Sequence, residues 1–404
     1  MDLSAFRGWT SAQKHVVAAS FLGWMLDAFD FFLLIFVIPD IAHDFHVGVP
    51  AVSVAVTLTL ALRPVGAFLF GRLADHFGRR PVLMADVTIY SVLAFASAFA
   101  PNLTVLLILR ALFGIAMGGE WGIGASLTME SLPPKSRGPV SGILQSGYST
   151  GYLVAALVYG TLFPLVHWQG VFMVGVLPAL LVLYIRRNVP ESPAWKGSQL
   201  RAAGTFSIFV KNGRLALYCI LLMTCLNFFS HGTQDLYPTF LKLVHHQDPH
   251  AIRSIAIVYN VGAILGGLVF GTLSQSLGRR RTLILTALLS IPVVPLWAFS
   301  TSPIALAAAA FVMQFMVQGC WGVVPAHLNE MSPAAARGTF PGFVYQLGNF
   351  LASANATIQA VIAVNYGQGY PIALSLVAVA AALLIALVAA LGPEAREAQL
   401  ATLS

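Results

Sequence analysis

The sequence predicts an all-α membrane protein with twelve transmembrane helices in two pseudo-symmetric six-helix bundles. Three observations lead to this prediction. The 404 residues are 58% hydrophobic and only 9% charged, whereas a soluble domain carries about 25% charged residues. The apolar runs are long enough for membrane spans, each of which needs about 20 residues. Finally, segments of the first half of the chain return in the second half.

Apolar runs define the twelve predicted spans. They lie near residues 15–39, 51–73, 81–100, 103–127, 138–162, 167–186, 213–241, 252–276, 282–300, 303–327, 338–363 and 368–391. The loops between them alternate in charge. Arginine and lysine lie at 72–80, 135–137, 186–201, 279–281 and 337, whereas the opposite loops carry none at 39–50, 100–103, 245–250, 300–303 and 365–369. The positive-inside rule therefore predicts an inner-membrane protein with both termini in the cytoplasm.

The longest connection separates two halves that repeat each other. Residues 71–80 (GRLADHFGRR) return as residues 271–280 (GTLSQSLGRR). Seven residues near the fourth span recur at the same offset, namely Gly119, Trp121, Gly122, Glu130, Pro133, Arg137 and Gly138. Duplicated halves are typical of transporters. We predict an N-terminal bundle at 1–186, a cytoplasmic linker at 187–212 and a C-terminal bundle at 213–404.

Composition also indicates what to exclude. The net charge of +7 lies in particular loops, so it gives no reason to expect nucleic acid. All three cysteines (Cys219, Cys225 and Cys320) lie in apolar segments, and we expect neither disulfides nor a metal site. The sequence shows no nucleotide loop, nucleophile elbow or metal cluster, so we expect no enzyme and no cofactor.

No cleavable signal peptide precedes the first span, which is expected to act as its own insertion signal. We expect a monomer in the lipid bilayer.

A polar stripe interrupts the predicted seventh span, at Asn227, Ser230, His231, Thr233, Gln234, Asp235 and Thr239. Polar groups inside a membrane are costly unless they pair or face a water-filled cavity. Asn227, His231 and Asp235 are spaced i, i+4, i+8, so on a helix they share one face. A titratable histidine and aspartate beside amides and hydroxyls are what a proton-coupled anion site requires.

Several motifs resemble one family along the whole chain, the major facilitator superfamily. The GRLADHFGRRPVL segment is similar to its loop signature between spans two and three. Arg110, Gly114 and Gly118 match its span-four RxxxGxxxG signature, and the PESP run at 190–193 follows span six as in that family. The span-seven stripe resembles the NxxSHxSQDxxxT signature of lactate and pyruvate permeases in the sialate:proton symporter family. The LDAFDFF run of span one resembles the same family.

Arg63, near the middle of span two, is the predicted substrate anchor. A charged side chain there costs about 2.5–3.5 kcal/mol on insertion scales, so we expect it to have a structural or functional role that offsets this cost. A guanidinium offers a bidentate fork to a planar carboxylate, and the resemblance implies such a span-two arginine. The alternative is a structural ion pair with Asp27 or Asp30.

Buried acids are the predicted proton carriers. The resemblance implies that Asp30 pairs with Arg110 and carries the proton. Asp27 is an alternative carrier. A permanent ion pair would explain the presence of either aspartate without a role in transport. Glu120 on span four is a further candidate. We also predict coupling through His231 with Asp235, because a neighbouring carboxylate stabilises the protonated imidazole.

Amides and one cytoplasmic loop complete the predicted site. Gln346 and Asn349 are i, i+3 on span eleven and match amides of the lactate permeases, although an interhelical hydrogen bond would also explain them. Gln145 and Tyr148 on span five are weaker candidates for substrate contact. The loop residues Asp75, Arg79 and Arg80 are the predicted gate. Membrane anchoring would explain both arginines but not Asp75.

The predicted function is proton-coupled uptake of a small monocarboxylate such as lactate or pyruvate, by alternating access. The partners are then a small organic anion and protons. Two alternatives remain open: a symporter of a larger acid, such as sialic acid or an aromatic acid, and a nutrient sensor or membrane scaffold without turnover. Bulky residues near the site predict a small cavity, namely Phe31, Phe32, Phe228, Phe229 and Tyr237.

Overall fold

The fold is all-helical, as predicted. A computed structural model describes residues 6–197, 205–365, 369–396, 398 and 400. Within these ranges, ten helices are long and apolar enough to cross a membrane. One of them, Pro134–Asn188, contains two spans, because His167 (φ 53°) breaks the helix inside it. Span eleven is built from two shorter helices, so the chain has twelve spans.

The helices have these bounds. Span one is Ser11–Asp44, span two Val49–Phe77, span three Arg79–Ser97 and span four Leu103–Ser131. Pro134–Val174 holds span five and the start of span six, which continues at Pro178–Asn188. Two short helices, Pro193–Gly197 and Thr205–Lys211, lie in the connection. Span seven is Gly213–Gln234 with Tyr237–Leu243, span eight Pro249–Leu277, and span nine Arg279–Ser290, a 3-10 turn and Val294–Phe299. Span ten is Pro303–Trp321 with Val324–Met331, span eleven Phe340–Ala352 with Asn355–Asn365, and span twelve Tyr370–Leu391.

Proline explains several breaks that the apolar runs did not predict. Pro238 stands at the second position of the short helix Tyr237–Leu243. Proline lacks the backbone N–H that would bond the carbonyl four residues earlier, and its ring clashes with that carbonyl. Span seven is therefore interrupted at Asp235 and Leu236 rather than running unbroken from 213 to 241. Pro325 does the same in span ten, where a new helix begins at Val324.

Most observed helices are longer than predicted. Span one begins four residues before its predicted start and runs to Asp44, and span four extends to Ser131, because polar residues at helix ends continue a helix beyond the membrane core. The predicted division of the chain at 187–212 stays a prediction. Residues 198–204 of that linker, including Arg201, and residues 366–368 of a predicted uncharged loop lie outside the described residues.

Glycines set the closest helix contacts. Within the first half, Gly114 faces the backbone of Thr59 on span two. Between the halves, a methyl group on Gly122 would lie 2.7 Å from the Cα of Gly342 on span eleven. On the other side, a methyl on Gly271 of span eight would lie 2.7 Å from the Cα of Gly142. Such small-residue contacts let helices approach closely in a membrane. They join the halves at the end that carries the arginine loops.

Candidate functional site

A cavity of about 430 Å³ lies between the two halves. Spans one, two and five line it from the first half, and spans seven, eight, ten and eleven from the second. The glycine contacts close it at the arginine-loop end. Toward the other end the side chain of Asp235 is 39% exposed, and that of His231 is 29% exposed. The cavity therefore reaches solvent at the end away from the arginine loops.

Arg63 lines this cavity from span two and is only 3% exposed. Its Nη2 donates to the sulfur of Met117 at 2.7 Å, and its carbon Cζ lies 5.0 Å from the centre of the Phe31 ring. Its Nε has no protein hydrogen-bond partner. In the part of the chain that the structure describes, Arg63 forms no ion pair, so the alternative reading of a structural pair with Asp27 or Asp30 is not realised in this conformation. The fork of the guanidinium stays available to a carboxylate.

The span-four signature explains why Arg63 is held there. A methyl group on Gly118 would collide with the carbonyl oxygen of Arg63 and would lie 2.9 Å from the backbone nitrogen of Ala67. Only glycine leaves room for span two at this point. Gly118 therefore lets the backbone at Arg63 lie directly against span four.

His231 links two helices of the second half. Its Nδ1 lies 3.2 Å from Oδ1 of Asp235, and its Nε2 lies 3.0 Å from Oδ1 of Asn349 on span eleven. The tautomer and charge of the ring decide which nitrogen donates in each contact, and a protonated ring would donate to both oxygens. His231 lies on the cavity wall, where a protonated ring would attract an anion.

Other predicted contact residues divide into two groups. Asn227, Gln145 and Tyr148 line the cavity. Gln145 accepts from Nε1 of Trp121 at 3.4 Å, and the Tyr148 ring stacks on Trp24 with the ring centres 5.5 Å apart.

Gln346, by contrast, is buried away from the cavity. It does not line the cavity, and its Oε1 has no protein partner. The structure thus brings Asn349 to His231 but does not bring Gln346 to them.

The predicted proton carriers of the first half lie behind the cavity wall. Asp27, Asp30 and Glu120 are buried, and neither carboxylate oxygen of any of them has a protein hydrogen-bond partner. Arg110 donates to Ser97 Oγ from both Nε (3.1 Å) and Nη2 (2.5 Å), rather than to Asp30. The implied Asp30–Arg110 ion pair is therefore not made in this structure, although their charges are close enough to attract.

The aromatic wall differs from the prediction. Only Phe31 and Phe32 of the five bulky residues line the cavity. Phe229 and Tyr237 are buried in the core of the second half, because they lie on the other face of span seven, and Phe228 packs against that core. Other aromatic residues form the wall instead, namely Trp24, Phe36, Tyr152, Tyr259, Trp321 and Tyr345.

Asp75 bridges the two halves at the arginine-loop end. Its carboxylate accepts hydrogen bonds from the backbone nitrogens of Gly338 (2.7 Å) and Thr339 (3.1 Å) and from Oγ1 of Thr339 (2.6 Å). Arg79 lies 3.2 Å from Asp75 and forms a bidentate pair with Glu130 at 3.1 and 3.2 Å.

Arg80, the third predicted gate residue, contacts only its own half in the described structure. Its backbone nitrogen donates to Glu191 and its Nη2 to the carbonyl of Arg186.

The chain after span twelve reaches the same end. Arg137 Nη1 donates to the carbonyl of Ala398 at 2.5 Å, and Arg337 Nη1 donates to that of Leu400 at 3.0 Å. The side chain of Leu400 is buried among apolar residues of both halves, including Val140 and Ala326. This segment therefore ties together two arginines from opposite halves.

Two kinds of residue were not predicted. Asp86 on span three is fully buried beside Glu120. Gln318 and Asn260 add amides to the cavity wall from the second half. A single carboxylate inside an apolar run was the available signal for Asp86, by the same reasoning that identified Arg63.

Comparisons with known proteins agree with this architecture. The sequence model of the Major Facilitator Superfamily matches residues 20–247, more than half of the chain, and that of the Sugar (and other) transporter family matches residues 223–395. The sialic acid transporter NanX of Escherichia coli (strain K12) is 29% identical over 377 residues, covering 92% of this chain and 93% of that protein. A protein of Cupriavidus pinatubonensis (strain JMP 134 / LMG 1197), named as a probable 4-methylmuconolactone transporter, is 28% identical over 370 residues, covering 90% and 86%.

A solved structure shares the fold. The proton:xylose symporter XylE bound to 6-bromo-6-deoxy-D-glucose superposes with a TM-score of 0.76 at 18% identity, covering 96% of this chain and 98% of that one. At that identity the likeness concerns the fold alone. Taken with the family match and the twelve spans, these findings make the protein a multi-pass membrane transporter: the chain belongs to the Major Facilitator Superfamily.

Proposed function

We propose that the protein is a proton-coupled symporter of an organic carboxylate. The observation that carries this proposal is Arg63, a buried guanidinium that lines a cavity between the halves and forms no ion pair with any of the described residues. A buried charge of this kind is costly, and a substrate carboxylate would compensate it. When protonated, His231 would add a second positive charge on the opposite wall.

Proton coupling follows from the charge of the substrate. Moving an anion against the membrane potential costs about 2.3 kcal/mol per charge per 100 mV. Taking up one proton with each carboxylate removes that cost. The unpartnered acids Asp27, Asp30 and Glu120 are the proposed proton carriers, with His231 and Asp235 as the pair that faces the cavity.

The cavity favours a larger acid over lactate. A volume of about 430 Å³ with many aromatic side chains in its wall is typical of sites for ligands with a sizeable apolar body. Two relatives carry the names of the larger compounds sialic acid and 4-methylmuconolactone. We therefore place an aromatic or similarly sized monocarboxylate first. Lactate and pyruvate are the second candidate, supported by the span-seven signature.

The proposed cycle uses the contacts between the halves. Asp75 and Arg79 would hold the arginine-loop end closed while the cavity faces the other side, and rocking of the halves would then open it. The positive-inside rule would put the arginine-loop end in the cytoplasm of an inner-membrane protein.

A substrate panel in proteoliposomes tests this function. Benzoate, nicotinate, sialic acid, lactate, pyruvate and acetate would be compared for uptake with and without an inward proton gradient. We expect accumulation only with the gradient, and the aromatic acids should compete at lower concentration than lactate. If lactate competes best, the second candidate is correct. If none of the acids is taken up or exchanged, the proposed substrate class is wrong.

The anchor is tested by substitution of Arg63. Arg63→Lys keeps the charge but loses the fork, so affinity for the preferred acid should fall by a factor of roughly 10 or more, since a charged hydrogen bond contributes about 1.5–3 kcal/mol. Met117→Leu is the matched control, because it removes only the sulfur that Arg63 contacts and conserves volume. Unchanged binding by Arg63→Ala would place the anchor elsewhere, with Arg110 the next candidate.

A further inference from the structure

Asp86 lies deep inside the first half, away from the cavity. It is fully buried on span three. Its Oδ1 faces span four, where a methyl group on Gly119 would lie 3.1 Å away. The next residue, Glu120, directs its Oε1 toward Gly23 of span one, where any side chain would collide with it. The two acids therefore lie between spans one, three and four, near enough for their charges to interact.

Neither acid has a counter-ion of its own. Both oxygens of Asp86 and both of Glu120 are buried without a protein hydrogen-bond partner. The charges that act on Asp86 are those of Glu120 and Asp27, and both would repel it. An ionised carboxylate in such surroundings is strongly disfavoured, and the group binds a proton instead.

Two arginines of the first half, Arg63 and Arg110, interact with other acids. The charge of Arg63 attracts Asp27, and that of Arg110 attracts Asp30. Each of these two acids thus has a cation nearby, whereas the charged neighbours of Asp86 and Glu120 among the described residues are other acids.

A second group is directed into the same space. Tyr90 follows Asp86 by one helical turn, is fully buried, and its hydroxyl also lacks a protein partner. The charges of Asp86, Glu120 and Asp27 all act on it. A hydroxyl of this kind can donate to whichever carboxyl is ionised.

The geometry favours a proton over a metal ion. Within the described ranges, no three acidic, histidine or cysteine side chains converge closely enough to hold a metal. A polar route also leads from Glu120 toward the arginine-loop end. The position of Gly124 lies between Oε1 of Glu120 and Oγ of Ser20, and Thr128 donates to Ser20 at 2.8 Å.

We propose that Asp86 is a proton-binding residue of the transport cycle, and that it shares with Glu120 a proton exchanged with Asp27 behind the cavity wall. Each step transfers only a proton: an O–H bond on one carboxyl breaks as one forms on its neighbour, and the proton finally leaves to solvent. Substrate bound at Arg63 would weaken the attraction between Arg63 and Asp27. It would thereby change the proton affinity of Asp27. The inference rests on the proposed proton coupling.

Infrared difference spectroscopy tests this without any substrate. Spectra of the purified protein at acid and alkaline pH report the carboxyl groups that gain and lose protons. Asp86→Asn should remove part of the titrating carboxyl band. The matched control is Thr286→Val at the equivalent position of the second half, which should leave the band unchanged. A band equal to the parent's in Asp86→Asn would show that Asp86 keeps one state throughout and would overturn the proposal.

Transport supplies a second measurement. In proteoliposomes, proton-driven accumulation by Asp86→Asn should fall roughly tenfold or more, as expected on removal of a proton-transfer group, while counterflow exchange continues. Asp86→Glu should restore part of the accumulation. Loss of both activities in a folded variant would indicate a structural role and contradict the proposal.

A measurement on the parent protein covers the case in which the variant does not fold. Dicyclohexylcarbodiimide reacts with protonated buried carboxyls, and mass spectrometry locates the adduct. We expect an adduct on Asp86 or Glu120 that decreases as the pH rises. No adduct on either residue at any pH would overturn the proposal. Failure of the substrate panel with a normal infrared result would instead count against the proposed function alone.

Discussion

The two halves of the molecule place different chemistry at equivalent positions. Where spans three and four of the first half carry Asp86 and Glu120, spans nine and ten carry Thr286 and Cys320, whose side-chain Oγ1 and Sγ lie 2.9 Å apart. Thr286 and Cys320 form a hydrogen bond with each other and carry no charge. The first pair remains without partners. The difference indicates that the shared architecture needs contact at this point, whereas the acids serve a task that belongs to the first half.

A similar asymmetry separates the two closing contacts between the halves. Asp75 accepts three hydrogen bonds from Gly338 and Thr339, whereas its counterpart Gln275 accepts one across the halves, from the backbone nitrogen of Gly138 at 3.1 Å. In span four Gly118 lets the backbone of span two approach, and Gln318 takes that position in span ten. At these two positions the first half has a carboxylate and a close helix contact, whereas the second half has neutral amides. Elsewhere the halves match, since Arg279 forms the same kind of bidentate pair with Glu330.

The largest expected effect concerns the packing of span four. Gly118→Ala places a methyl group against the backbone at Arg63 and Ala67. Overpacking costs typically about 1–3 kcal/mol and occasionally more, and a collision with backbone atoms, which cannot rotate away, puts this variant at or above the upper end of that range. Gly124→Ala is the matched control on the same helix, since its methyl group would meet Ser20 at an ordinary 3.6 Å. Thermal unfolding in detergent should show a clearly lower unfolding temperature for Gly118→Ala and an unchanged one for Gly124→Ala. Equal stability of both would refute the close approach.

An intermediate effect is expected for the closing contacts. Asp75→Ala removes three charge-assisted hydrogen bonds and should weaken closure by roughly 1.5–3 kcal/mol, whereas Gln275→Ala should weaken it by about 1 kcal/mol. Distances between spin labels at the exposed positions Arg72 and Ala334, on opposite halves, report the closed fraction. A larger decrease of the closed fraction for Gln275→Ala than for Asp75→Ala would contradict the expected order of the two contacts.

The smallest effect concerns the start of span eight. Asp248 caps this helix by accepting from the backbone nitrogens of His250 (2.7 Å) and Ala251 (2.9 Å), whereas the equivalent Gly48 offers span two no side-chain cap. The backbone N–H of Ala251, and then that of His250, lowers the pKa of Asp248. A lowered pKa in the folded state means that the cap stabilises above the usual pKa of aspartate, and that this stability is lost as the pH falls through the folded pKa. Asp248→Ala should therefore unfold slightly earlier at neutral pH and like the parent in strong acid. A difference that persists in acid would contradict the capping role.

The sequence predicted the spans well because apolar length is a local property. It also predicted that Arg63, His231 and Asp235 would face one cavity, since helical spacing fixes the face on which they lie. It could not predict the direction of Gln346, because the face of span eleven that meets the cavity depends on how the halves pack. Asp86 was open to prediction as a lone acid in an apolar run. Its partnership with Glu120 was not, because it arises only from the contact between spans three and four.

The contacts of Ala398 and Leu400 with Arg137 and Arg337 bear on how the protein is made. These residues follow span twelve, so they leave the ribosome after every membrane span has been synthesised. The Arg137–Ala398 and Arg337–Leu400 contacts can therefore form only once both bundles have been synthesised. The close glycine contacts and the hydrogen bonds of Asp75 do not depend on this segment and can join the halves before it.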